Sequence, residues 1–214
     1  MSVIRQPRAL GRTTRRRVMG TAAALSTAVI ETIAVGCWFA LVVGSRTTST
    51  ALAGLGLLFC GALSRAGIFG VTVTHPGDVL QPRRLAVALL FTAGWIVWLL
   101  VAELVGGVAG VTLASGLLAG ILSVQFALEH RVFSRSSGPH IAETPIVSGL
   151  LLAAGGSTLL ATAWFFDWGL STPPLSVGVT TVVVLIEPLQ IGVVVFGLFA
   201  FLAHYHRLRR FLDP

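Results

Sequence analysis

Two glutamates stand inside long apolar runs: Glu31 in Val29-Ile30-Glu31-Thr32-Ile33-Ala34-Val35-Gly36, and Glu187 in Leu185-Ile186-Glu187-Pro188-Leu189-Gln190-Ile191-Gly192. A charge at the centre of a membrane span costs about 2.5 to 3.5 kcal/mol even on the milder insertion scales. Such a residue therefore marks a proton or ion site unless a structural partner neutralises it. Glu187 carries the stronger case. In an unbroken helix Thr180 and Gln190 would share its face, and Pro188 would free the Val184 carbonyl beside it. Arg65, in the next apolar run, is the obvious partner for Glu31. The expected ion- or substrate-binding set is thus Glu187, Gln190, Glu31 and Arg65. The repeated pattern would set two carboxylates across a shared site if the runs formed an inverted repeat. A chain this rich in Val, Ile, Leu and Gly also produces such matches by chance.

A second constellation is made of His75 and Asp78, Glu129 and His130, His140 and Glu143, and His204 and His206. Histidine and carboxylate can ligate zinc or iron, or share acid–base work. The alternative metal or catalytic candidates are therefore His75, Glu129, His130, His204 and His206. Their spacing is unspecific: there is no HExxH and no histidine pair at i and i+4. No motif assigns a catalytic residue or a cofactor.

The elements that must position these groups follow from composition. Of 214 residues, 55% are hydrophobic and 11% charged, with a mean hydropathy of +0.89; such a chain needs lipid as solvent. Six apolar segments, at 18–44, 52–71, 85–105, 111–130, 146–166 and 176–203, are each about long enough to cross a bilayer. The expected fold is all-α, a polytopic integral membrane protein built as a six-helix transmembrane bundle. Tails at 1–17 and 204–214 are basic. The unbroken apolar stretch Leu85 to Leu128 is too long for one crossing, and Gly106, Gly107 and Gly110 offer the turn that divides it.

Orientation comes from arginine, since loops rich in basic residues stay in the cytoplasm. With the N-terminus inside, Arg5, Arg8, Arg12, Arg15, Arg16, Arg17, Arg83, Arg84, Arg131, Arg135, Arg207, Arg209 and Arg210 all fall on that side, and Arg46 falls outside. Trp38, Trp164 and Trp168 fall near outer span ends, where interfacial aromatics gather. Both termini are expected in the cytoplasm of a cell whose membrane the chain crosses six times. Its net charge of +7 suits anionic lipid headgroups, and no nucleic-acid partner is expected. Thr14-Arg15-Arg16-Arg17-Val18-Met19 resembles a twin-arginine export motif, but Glu31 and the apolar run beyond Cys37 favour a retained first span. All the basic side chains are arginine, which excludes a lysine Schiff base and with it a rhodopsin.

Cys37 and Cys60 fall at similar depths; a disulfide is geometrically possible and two buried thiols are the default. Gly116, Gly120, Ser123 and Ala127 make a small-residue face for packing, within the bundle or against another subunit. The functional expectation is a small multi-span protein that binds or transports a small solute or ion, proton-coupled through mid-membrane carboxylates. The alternatives are a membrane-embedded enzyme or redox subunit with a cytoplasm-facing His/Glu site, and a noncatalytic subunit of a homo-oligomer or larger membrane complex.

Overall fold

A computed structural model describes residues 7–45, 47–73, 82–133, 143–178 and 180–212. Six helices dominate it: α1 (Pro7–Gly44), α2 (Thr48–Val73), α3 (Pro82–Val105), α4 (Gly107–Phe133), α5 (Glu143–Phe165) and α6 (Pro188–Leu212). Each contains a stretch long and apolar enough to cross a membrane. Every helix packs on its neighbours in sequence, and α6 returns to pack on α1, so the six form a closed ring. The interior is filled by large side chains with almost no exposure: Phe39, Phe91, Trp95, Trp98, Phe126 and Phe196. Trp95 stands edge-on to both Trp98 and Phe196, with centroids 5.1 and 5.6 Å apart, a geometry favoured by the ring quadrupoles. Leucines and valines such as Leu25, Leu104, Leu113 and Val194 point outward instead.

The stretch from Leu85 to Leu128 divides at Gly106 and Gly107, both at positive φ (70° and 56°), which only glycine adopts without strain. Gly106 N–H donates to the Ala102 carbonyl, and Gly110 N–H to that of Gly106, so the turn leaves few backbone groups open.

The segment before α6 departs from the helical expectation. Residues 170–178 and 180–186 pair as antiparallel strands, in which β1 (Leu170–Ser171) pairs with β4 (Leu185–Ile186) and β2 (Leu175–Val177) with β3 (Thr180–Val182). Local chemistry explains it. Thr180-Thr181-Val182-Val183-Val184 is β-branched throughout, and such side chains lose rotamer freedom in a helix and pack well in a strand. Gly178, at a φ of 63°, supplies the left-handed residue that a tight hairpin turn requires. Pro188 then opens α6 as its first residue, where its missing N–H costs nothing, instead of kinking a span.

Close helix approaches occur where glycine permits them. A Cβ on Gly149 of α5 would lie 2.7 Å from the Ser123 backbone nitrogen of α4, and one on Gly61 of α2 would collide with Ala34 of α1. Gly116 and Gly120 have nothing within 4 Å, so the expected small-residue face of α4 is split: Ser123 meets α5 and the two glycines look outward. Gly149→Leu should therefore cost about 1 to 3 kcal/mol or more, because the two backbones must separate, whereas Gly116→Leu should melt as the parent does in detergent. Equal loss in both variants would show that the outward face of α4 is covered. Cys37 and Cys60 are free and exposed on the bundle's outer surface, contrary to the expectation of two buried thiols.

Candidate functional site

In the interior of the ring, from the middle of α1 toward the last turns of α2, α4 and α6, five ionisable side chains from four helices converge. They are Glu31 (α1), Arg65 (α2), Glu129 (α4), and His204 and Arg207 (α6), and none is more than 3% exposed. Glu129 is the hub. Its Oε1 accepts from Arg65 Nη2 at 2.8 Å and its Oε2 pairs with Arg207 Nη2 at 2.6 Å, so one carboxylate holds two guanidinium groups. Helices α2 and α4 are not neighbours in the ring, so the Arg65–Glu129 bond spans its interior. Glu31 Oε2 and His204 Nε2 form a hydrogen bond that ties α1 to α6.

Aromatic and polar neighbours frame these charges. Arg65 lies over the Phe91 ring at 4.1 Å and the Phe126 ring at 5.5 Å, and Arg207 covers Phe126 from 4.8 Å. Cation–π contacts of this kind gain strength when the cation is removed from water. Phe126 also meets the His204 ring edge-on. From α4, Gln125 Nε2 donates to the Val87 carbonyl of α3 at 3.3 Å; from α5, Ser148 Oγ donates to the carbonyl of Ala203 at 3.1 Å, next to His204.

Several buried polar atoms are left over. Among the described residues, Glu31 Oε1, Arg65 Nε and Nη1, Gln125 Oε1 and the indole nitrogens of Trp95 and Trp98 have no hydrogen-bond partner. Leaving one buried donor or acceptor unsatisfied costs about 1 to 3 kcal/mol, more for a charged group. Three of these atoms, Glu31 Oε1 and Arg65 Nε and Nη1, belong to the cluster itself.

This cluster joins residues that the sequence placed in two separate sites. Glu31 and Arg65 came from the mid-span set, and Glu129 and His204 from the histidine–carboxylate set. Glu31 pairs with His204 instead of Arg65, while Arg65 pairs with Glu129. Arg207, assigned by sequence to the basic tail, is a member; its signal was the spacing of three from His204 on a helix whose Phe196, Ala200 and Ala203 are also buried.

Glu187 and Gln190 lie elsewhere. Glu187 is exposed, precedes α6, and accepts the first backbone bond of that helix from Gln190 N–H at 3.0 Å. The expected face of Thr180, Glu187 and Gln190 does not exist, because Thr180 is in β3. Nor do Glu31 and Glu187 stand in equivalent places, one being mid-helix and buried and the other at a helix start. Of the remaining candidates, His206 is half-buried two residues beyond His204, and His75 and the side chain of His130 lie outside the described residues. Among the described residues no three His, Cys, Asp or Glu side chains gather closely enough to hold a metal ion.

Compared with family models, curated proteins and solved structures, the chain has no match.

Proposed function

We propose that the protein crosses a cell membrane six times, with its arginine-rich end in the cytoplasm, and binds or moves a small solute or ion at the Glu31–Arg65–Glu129–His204–Arg207 cluster. The observation that carries this reading is the convergence of five buried ionisable groups inside a ring of apolar helices, two of which, Glu31 and Arg65, keep polar atoms without a partner among the described residues.

Depth supports it. At 1.5 Å per residue, Glu31 lies about 20 Å along α1 from Gly44, His204 about 24 Å along α6 from Pro188, and Arg65 about 26 Å along α2 from Thr48. In a hydrocarbon layer about 30 Å thick these groups occupy the cytoplasmic half, with Glu129 near the inner boundary. Ionisable groups retained at such depth face the bundle interior and mark solute or proton pathways. Proton coupling rests on the Glu31–His204 pair, which can hold one proton more or less between a carboxylate and an imidazole.

Orientation is tested by cysteine labelling. A cysteine placed at Ser137 should react only from the cytoplasmic side, and strong labelling from outside would reverse the bundle. Solute binding is tested by melting the detergent-purified protein against a panel of small anions, cations and neutral solutes. At least one class should stabilise the parent and lose its effect in Arg65→Lys, which keeps the charge and loses the guanidinium's fixed donors. A panel that shifts both proteins equally would refute the site.

A further inference from the structure

The polar atoms that the cluster leaves open point to the kind of solute. Arg65 spends Nη2 on Glu129, and no described residue accepts from its Nε or Nη1, so a guanidinium almost wholly removed from solvent presents two donor nitrogens without an acceptor among the described residues. On the acceptor side Glu31 leaves Oε1 open and Gln125 leaves Oε1 open. We propose that the site takes a small monovalent anion at Arg65 together with one proton held by the Glu31–His204 pair. This rests on the reading of the cluster as a solute site and names its ligand class.

Charge balance gives the reason. With His204 neutral, two carboxylates and two guanidinium groups sum to zero, and an added anion would leave a net negative charge in a low-dielectric interior. One proton on the Glu31–His204 pair raises the cluster to +1, which a monovalent anion returns to neutrality. The same proton removes the repulsion between Glu31 and the anion. Among the described residues the charged groups that interact with this pair are Glu129 on α4 and Arg207 on α6, with Arg65 on α2 reached through Glu129; Ser148 on α5 adds no charge, and the half-buried His206 stands two residues from His204 on α6. Arg207 is close enough to interact electrostatically with Glu31 and Arg65, and Glu129 with His204, so the five act as one charged unit. A cation would instead face the two open donors of Arg65.

The test uses the full chain in detergent, titrated with sodium formate, nitrate or chloride while a pH indicator in weak buffer follows proton uptake. At least one of these anions should bind with uptake of about one proton, and where a full proton is taken up its affinity should fall about tenfold for each unit by which the pH is raised. Glu31→Gln, which mimics the protonated carboxyl, should bind the same anion without proton uptake and without pH dependence. Anion binding with no proton uptake by the parent would overturn the proposal. So would cluster-dependent binding of sodium, potassium or a neutral solute with no anion bound, an outcome that leaves the solute-site reading standing. If no member of the panel binds, both fall together.

Discussion

Glu129→Ala should destabilise the protein by about 3 to 5 kcal/mol, the loss expected when one partner of a buried ion pair is removed and its counter-charges stay behind. The effect should fall at the upper end because the single carboxylate holds two cations, Arg65 and Arg207, both almost fully buried. Without it two guanidinium groups face each other around Phe126. Replacing all three together, as Arg65→Met, Glu129→Leu and Arg207→Met, should recover most of the stability, since well-packed apolar groups avoid the desolvation cost of the charges. Unfolding of the purified variants measures both outcomes. A single variant as stable as the parent would mean that water reaches the cluster and screens it.

The second large effect concerns pH. Where one proton is linked to solute binding, the affinity of the parent should fall about tenfold for each unit by which the pH is raised. Glu31→Gln keeps the hydrogen-bonding shape and abolishes titration, so affinity should become flat with pH while folding is retained. Glu187→Gln should leave the parent's pH profile unchanged, because Glu187 is exposed at the start of α6 and touches none of the cluster. The two variants, compared by affinity at pH 6 and pH 8, separate the buried carboxylate from the exposed one.

Much of the helical ring was legible because long apolar runs admit few other structures, and the division at Gly106 followed from two consecutive glycines able to turn. The sixth helix shows where hydropathy alone misleads. Residues 176–187 are as apolar as a span, yet their β-branched run, the turn glycine and the position of Pro188 were all local signs of a hairpin followed by a helix start. Glu187 gained its apparent importance from that one misread segment. The buried cluster was legible by the kind of residue in it and illegible by pairing. Glu31, Arg65, Glu129 and His204 each stood out as a charge or histidine in an apolar context, but which carboxylate meets which cation depends on the closure of α6 against α1, a contact that no spacing along the chain encodes. Arg207 was missed because an arginine near a helix end ordinarily extends to the interface.

The central claim, that the buried cluster carries a solute together with a proton, is tested most directly in proteoliposomes loaded with a pH-sensitive dye. External addition of the anion that stabilises the purified protein should drive proton entry through the parent and through Glu187→Gln, and none through Glu31→Gln. Proton entry through Glu31→Gln at the parent's rate, with loss in Glu187→Gln, would contradict the account and move the site to the other end of the bundle.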